Sequence, residues 1–290
     1  MRFVFLRCLA CVVFTVLHFS PALAQTDPTK ASFDKALNNP GNWYLSWGYS
    51  RQQYAPSDIH VSQPDLGNDF TLHKVKAKDF PSSLPGTFKS IVDLDFTSPQ
   101  ENIRFGRYLT PERDFAIEFS LDHTKYNTNF GQSVRISGTK ANAPVSGNVT
   151  LTPTNFTYNL HNGLNHVMIN GVWFRDLYGP KNQPGHLQFL SRVGAGILLP
   201  HADNVIDGNQ NAVGPKQVNV CCTAKNDWWQ LNGWTAGVEL GFRYTVYKSV
   251  YLELTTKAAY GALHGVPVYQ GTANQKIWMS EQVLSTGFNF

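Results

Sequence analysis

Long stretches of this chain place a large apolar residue at every second position and a small, polar or charged residue between. In GWTAGVELGFRYTV, which covers 233–246, Trp234, Val238 and Phe242 share one side while Glu239 and Arg243 share the other. Successive side chains of a β-strand point to opposite faces, so this period of two predicts strands with one apolar and one polar face. The pattern recurs at 43–49, 115–122, 189–199 and 250–257.

Two architectures could use such strands. In a soluble β-sandwich the apolar faces meet in the interior, and strands average about five or six residues. Here several segments are longer, and their polar faces carry glycine, glutamate and arginine. These features favour an all-β fold, a closed antiparallel transmembrane β-barrel, in which lipid contacts the apolar side and the lumen holds the charges. Closure is required because an open edge in hydrocarbon would leave backbone groups unpaired. A secreted β-sandwich that binds a ligand is the second alternative.

The first residues predict export. Residues 1–24 have the pattern of a cleaved signal peptide, with Arg2 and Arg7 at the start, an apolar stretch at 9–19 and a small-x-small site at 22–24. Loss of the two arginines would lower the net charge from +4 to +2. A nearly neutral chain has no electrostatic footprint for nucleic acid, so none is predicted as a partner.

The remaining chain divides into a short periplasmic helix or linker at 25–41 and a barrel domain at 42–290. Asp27-Pro28 begins the predicted helix, and Asn39-Pro40-Gly41 ends it. About twelve strands are expected, with ten or eight as alternatives because two of the twelve are weak. Short turns at 110–113 and 247–249 and longer loops at 55–67, 200–227 and 264–279 are expected at opposite rims. The strands are predicted near 42–54, 68–79, 87–96, 101–109, 112–122, 130–138, 149–160, 164–176, 187–199, 229–247, 249–263 and 280–290.

The last segment, SEQVLSTGFNF, ends on Phe290 and carries Phe288 and Leu284 on the same face. It resembles the closing strand of Gram-negative outer-membrane β-barrel proteins, without singling out a subfamily. The resemblance implies a place in the cell outer membrane, contact with outer-membrane lipids, and recognition of Phe288 and Phe290 by the barrel-assembly machinery. It says nothing about the oligomeric state.

Charged residues fall on the polar faces of the predicted strands. Unpaired buried charges are very costly, but opposite charges can pair across a narrow lumen. This arrangement favours a hydrogen-bonded plug, with a water-filled pore and a ligand or catalytic pocket as alternatives. The predicted lumen-facing residues are Glu118, Asp122, Arg192, Glu239, Arg243, Glu253 and Lys257.

A polar loop at 200–211 contains Asp203, Asp207 and Asn209, whose oxygens could hold calcium. The spacing departs from an EF-hand and lacks its final glutamate, so a solvated loop without metal is the preferred interpretation. His201 with Asp203, or His123 beside Asp122, could supply a catalytic base.

Some outer-membrane lipid A deacylases keep a histidine near a serine and a carboxylate. The expected His-x-Ser arrangement is missing at His161-Asn162-Gly163, which is interpreted as a tight turn. The sequence therefore favours a non-enzymatic barrel without cofactors, with a structural or transport role and a narrow or occluded pore. A lipid-modifying enzyme is the first alternative.

Overall fold

The computed structural model describes residues 41–80, 100–181, 183–212 and 230–290. The predicted signal peptide, the helix at 26–39, the strand near 87–96 and much of the loop at 200–227 lie outside these residues. In the described part of the chain, no helix has the length and apolar character needed to cross a membrane.

Eight long strands form the centre of the fold. Every neighbouring pair is antiparallel, and the last strand pairs with the first, so the sheet closes on itself. Around the ring the order is β1, β5, β6, β10, β11, β14, β15 and β16. These strands are β1 (Trp43–Tyr54), β5 (Glu101–Tyr108), β6 (Phe115–Thr128), β10 (Asn159–Tyr178), β11 (Leu187–Pro200), β14 (Gly233–Tyr247), β15 (Val250–Val268) and β16 (Gly271–Asn289).

The prediction of an all-β antiparallel barrel is confirmed, and the ring holds eight strands, the smallest of the three counts considered, instead of the preferred twelve. The segments predicted near 68–79 and 130–138 do not enter the ring, and the segment near 149–160 enters it only at 159–160, the start of β10. These segments do alternate, but their apolar faces are buried against other parts of the protein. A period of two predicts an apolar face without indicating whether protein or lipid covers it. The outer strands are β2 (Ser57–Gln63), β3 (Asn68–Val75), β4 (Ala77–Lys78), β7 (Ser133–Lys140), β8 (Ala143–Thr150), β9 (Phe156–Thr157), β12 (Val205–Ile206) and β13 (Asn209–Gln210).

Four of these strands form what we name the outer sheet, in the order β2, β3, β7 and β8. The outer sheet is joined to the ring at the N-terminal end of β16, where residues 272–275 pair with residues 59–62 of β2. One of its faces packs on an apolar core that includes Ile59, Phe70, Leu72 and Ile136. The prediction of a loop at 264–279 was wrong. These residues instead lengthen β15 and β16 toward the outer sheet.

A bulge in β15 allows this strand to face the polar lumen along one part and the apolar core under the outer sheet along the other. Its register against β16 shifts between Leu263 and Val266, and Gly265 has φ +65. A glycine adopts this left-handed conformation without the penalty that a side chain would bring. The shift turns Val266 and Val268 into the apolar core, whereas inward residues nearer the start of the strand, such as Glu253, are polar.

The two rims of the barrel differ in their connections. At the short-turn rim, β5 joins β6 through 109–114 and β14 joins β15 through 248–249, so both short turns are confirmed. The chain ends of the barrel meet there, where Trp43 N donates to Phe290 O over 2.9 Å and Phe290 N donates to Trp43 O over 2.8 Å. The opposite, long-connection rim carries the outer sheet and the small sheet of β9, β12 and β13.

The tripeptide at 161–163 is not the tight turn that was expected. It lies within β10, where the register against β6 shifts between Leu160 and Leu164. Gly163 has φ +131, which suits the irregular backbone of a bulge. A glycine after asparagine therefore marked a break in register, not a change of chain direction.

Candidate functional site: the charged interior of the barrel

The outward face of the ring is apolar. On β15 and β16, Leu254 and Leu284 are 61% and 60% exposed, while their neighbours Glu253 and Ser285 are buried. Strand geometry makes this alternation unavoidable once the register is fixed. The same holds on β14, where Leu240 and Phe242 are exposed. The barrel therefore presents hydrocarbon outside and polar groups inside.

Aromatic rings border this apolar surface at both ends. Toward the long-connection rim, the Tyr260 ring lies 5.4 Å from Trp234 and 5.0 Å from Trp278. Toward the short-turn rim, ring pairs at 5.0 to 5.8 Å join neighbouring strands, namely Trp43–Phe105, Phe115–Trp173 and Phe189–Phe242. On β16, ten residues separate Trp278 from Phe288, roughly 33 Å along the strand. At the usual tilt this is a band of about 25 Å, the height of a membrane-barrel surface.

Arg192 is the centre of the interior. Its Nε lies 3.1 Å and 3.2 Å from the two oxygens of Glu118. Its Nη1 donates to Glu239 over 3.0 Å, and its Nη2 donates to Glu253 over 3.0 Å. Tyr44 donates its hydroxyl to Glu118 over 2.8 Å. One guanidinium therefore binds three carboxylates from three different strands, which its five donors permit.

A second set of contacts lies beside the first. Lys257 Nζ is 2.5 Å from Asp122 Oδ2, and Arg104 also binds Asp122. Arg104 Nη2 reaches Glu239 at 3.5 Å. Because β6 and β15 stand four places apart in a ring of eight, as do β5 and β14, these contacts cross the full width of the lumen.

Arg243 lies toward the short-turn rim. Its Nε donates to Glu253 over 2.7 Å, and it also binds the Tyr108 hydroxyl. Aromatic rings surround the guanidinium, with the Tyr251 centroid at 3.8 Å and that of Phe174 at 4.6 Å. Rings and aliphatic side chains fill this level of the barrel, so the interior changes from ionic to apolar near the rim.

The structure places all seven charged residues expected in the lumen in this one network, each 5% exposed or less. Arg104, Tyr44 and Glu281 belong to it but were missed. Arg104 and Glu281 could have been predicted from the alternation. Arg104 lies on the same face of β5 as the buried Tyr108, and Glu281 lies on the same face of β16 as the buried Val283. In the described interior, four cations face five carboxylates: Arg104, Arg192, Arg243 and Lys257 against Glu118, Asp122, Glu239, Glu253 and Glu281.

The interior is therefore filled by side chains at the level of the network. The charged side chains of the network are almost completely shielded from solvent. An eight-stranded barrel is just wide enough for side chains to fill it. The charged side chains therefore link several strands of the ring to one another inside the barrel.

The catalytic candidates lie elsewhere. His123 and His201 both border Gly163 near the long-connection rim: His201 N donates to Gly163 O over 2.8 Å, and His123 Nδ1 lies 2.7 Å from Asn165 Oδ1. Asp203 accepts a hydrogen bond from Gln210 over 2.5 Å.

In the loop considered for calcium, one carboxylate oxygen each of Asp203 and Asp207 contacts another side chain of the protein. Asp207 Oδ1 lies 2.7 Å from Lys140 Nζ, and Asn209 donates to the Asp207 carbonyl over 3.0 Å. Across the described ranges, no three or more histidine, cysteine, aspartate or glutamate side chains are grouped in a way that could hold a metal ion.

Fold and interior together define a closed eight-stranded barrel with an apolar exterior and buried polar side chains inside. The chain matches no protein-family model, and a comparison with curated proteins finds no relative.

Solved structures similar to the chain are outer membrane β-barrel proteins. One is AlkL in lipid bilayers, with 11% identity over 93% of this chain and 96% of AlkL, and a TM-score of 0.36. Another is OprG from Pseudomonas aeruginosa, with 12% identity, 87% and 97% coverage and a TM-score of 0.35. A third is the Neisserial surface protein NspA, with 11% identity, 86% and 97% coverage and a TM-score of 0.34. At these scores the likeness carries no weight of its own, and the fold rests on the strand pairing.

Proposed function

We propose that the protein is a sealed β-barrel of the bacterial outer membrane, with a structural role: the barrel anchors the outer sheet at the cell surface. The apolar exterior, its height of about 25 Å and its two aromatic borders support contact with outer-membrane lipids. Closure of the ring supports it too, because every strand edge at membrane depth is paired.

The observation that carries the sealed state is the pair of contacts across the lumen, Lys257 to Asp122 and Arg104 to Glu239. Groups that touch from opposite walls leave no water column between them. Each of the four interior cations pairs with at least one carboxylate, and the fifth carboxylate, Glu281, accepts hydrogen bonds from the side-chain amides of Gln52 and Asn102. A solute-conducting role would require this network to come apart.

By this proposal the long-connection rim faces the outside of the cell and the short-turn rim faces the periplasm, as in bacterial barrels generally. Phe288 and Phe290 then lie at the periplasmic rim, with ring centroids 5.4 Å apart and both side chains exposed. This position supports our proposal that the barrel-assembly machinery recognises them.

Planar-bilayer recording tests the sealed state. Protein refolded in detergent, and shown to be folded by heat-modifiable gel migration, would be added to a bilayer beside a porin as positive control. We expect the porin to give discrete current steps and this protein to give none. Reproducible steps from the folded protein would contradict sealing and favour the narrow-pore transport role. Recovery in the outer-membrane fraction of cells would test the location separately.

A further inference from the structure

Three side chains line up on the face of the outer sheet opposite its apolar core. Ser137 Oγ lies 2.7 Å from His73 Nε2, and His73 Nδ1 lies 3.0 Å from Asp58 Oδ2. They come from β7, β3 and β2, which are adjacent strands. The hydroxyl and the carboxylate therefore bind opposite nitrogens of one imidazole ring.

The strand register produces this alignment. Ser137 is paired with Thr71, and His73 with Arg135, so Ser137 and His73 are diagonal neighbours on one face. The register of β2 against β3 shifts between Ser57 and Ile59, which brings Asp58 beside the bulge that contains His73.

Backbone strain accompanies the bulge. Lys74, next to His73, has φ +55, an uncommon conformation for a residue with a side chain. In this conformation its backbone N–H donates to Asp58 Oδ1 over 2.8 Å. Partial burial would raise the pKa of Asp58, but the Lys74 N–H, His73 and Arg135 outweigh it and hold the pKa below its ordinary value. Asp58 is thus fixed and kept ionised beside the imidazole.

A cavity of about 540 Å³ opens beside His73 and Asp58, while Ser137 contacts His73 from outside its lining. Its lining includes His73 and Asp58 together with three cationic side chains, those of Lys74, Lys76 and Arg135. The single carboxylate is already bound to His73 and to the Lys74 N–H. The remaining field in the cavity is positive, which favours a ligand that carries negative charge.

We propose that Ser137, His73 and Asp58 form an esterase site for acyl esters that carry an anionic group. Such a set of roles is recognised by its geometry on unrelated folds. Ser137 Oγ attacks the ester carbonyl and its proton passes to His73 Nε2. The bond to the alcohol oxygen then breaks, and His73 returns the proton to that oxygen. Water hydrolyses the resulting acyl-serine, again through His73, and releases the acid. Asp58 acts as a positioning residue for the ring.

This inference does not depend on the sealed barrel, and it is tested on the full chain refolded in detergent. A fluorophosphonate probe would be reacted with the protein and the modified residue located by peptide mass spectrometry. Hydrolysis of p-nitrophenyl butyrate and of the anionic p-nitrophenyl hemisuccinate would be measured in parallel. We expect the probe on Ser137 and a higher kcat/KM for the hemisuccinate.

Variants separate the roles. Ser137→Ala should lose both labelling and hydrolysis, and His73→Gln should lower the rate roughly 100-fold, the lower end of what a positioned base contributes. Asp58→Asn should lower kcat while KM stays the same. Arg135→Gln should reduce the preference for the anionic ester up to about fivefold, the contribution of an exposed charge pair.

Two matched controls lie on the same sheet. Ser62 lies on the same face of β2 as Asp58 but outside the lining of the cavity, and His60 has its own carboxylate, with Nε2 2.6 Å from Asp69 Oδ1. In the part of the chain that the structure describes, no hydroxyl binds the other ring nitrogen of His60. Ser62→Ala and His60→Gln should therefore keep wild-type activity. Failure of the probe to label the folded wild-type protein, or a Ser137→Ala variant as active as wild type, would overturn the proposal.

Discussion

Lys257 Nζ lies 2.5 Å from Asp122 Oδ2, although β15 and β6 stand on opposite walls of the eight-strand ring. The two residues are 135 positions apart in the chain, so only closure of the barrel brings them together. Paired charges that meet near the axis couple walls that share no backbone hydrogen bonds. The interior contacts therefore connect opposite walls of the ring.

Arg192 should be the most sensitive position of the network. Arg192→Met leaves Glu118, Glu239 and Glu253 without the cation that binds all three. We expect a loss of about 3–5 kcal/mol in the free energy of unfolding, as for other buried pairs that lose one partner. Urea unfolding in lipid vesicles measures it. Arg175→Met, at an exposed position of β10, is the matched control and should change stability by no more than about 0.5 kcal/mol. Equal stability of the two variants would refute the importance of the network.

The free-energy cost of introducing a charge on the outward face should depend on how deep the position lies in the apolar band. Leu284 and Thr272 both point outward on β16, but Leu284 lies within the apolar band and Thr272 lies beyond Trp278. Leu284→Arg should destabilise the protein in vesicles by about 2–4 kcal/mol, whereas Thr272→Arg should cost about 0–1 kcal/mol. The comparison uses one strand, one face and one substitution. Similar costs at both positions would mean that lipid does not contact the band.

Gly106 is required by the ring of Tyr44, its partner on the next strand. A Cβ at Gly106 would lie 2.1 Å from Tyr44 Cζ, so the ring would have to move and release Glu118. We expect Gly106→Ala to cost about 1–3 kcal/mol. In a Tyr44→Ala background the same substitution should cost less, because the clash is gone. A double-mutant cycle measures the difference, and additive effects of the two substitutions would exclude this contact as the cause.

Asp176, at the short-turn rim, should give the barrel an acid-sensitive contact. It lies 2.9 Å from both His186 and Lys181 and accepts from Gln188 over 3.0 Å. Burial would raise the pKa of Asp176, but these partners outweigh it and lower the pKa.

A carboxylate whose pKa is lower in the folded state stabilises the protein above its unfolded pKa and loses that contribution as the pH falls through the folded value. Stability should thus fall below about pH 4 more steeply in wild type than in Asp176→Asn. The pH dependence of urea unfolding in both proteins is the check. Parallel curves would contradict the lowered pKa.

The alternation of residues was sufficient to predict the ring. The phase that puts Trp234 outside puts Glu239 and Arg243 inside, and each of the eight ring strands overlaps a predicted segment, although β6, β10, β15 and β16 extend beyond it. The alternation along β5 and β16 also places Arg104 and Glu281 on the inward face. The sequence was therefore sufficient to predict these two lumen-facing residues, although they were missed. Each of these residues is positioned by its own strand.

Other features depend on which strands become neighbours. Phe70 and Leu72 alternate with polar residues as ring strands do, yet they face a protein core. Local periodicity does not state what covers an apolar face. His73 is 15 residues from Asp58 and 64 from Ser137, and only the register of three strands brings the three together. A one-residue slip would place Ser137 on the other face.

Acylation of Lys257 by a water-soluble reagent tests most directly whether the charged interior is sealed. Wild-type protein in lipid vesicles would be treated with sulfo-N-hydroxysuccinimidyl acetate and followed by peptide mass spectrometry. Lys276 and Lys248, which are exposed, serve as internal references. We expect Lys257 to react on the order of 100-fold more slowly than they do, because a buried group reacts only when the structure opens. Modification of Lys257 at the rate of the exposed lysines would contradict a sealed interior.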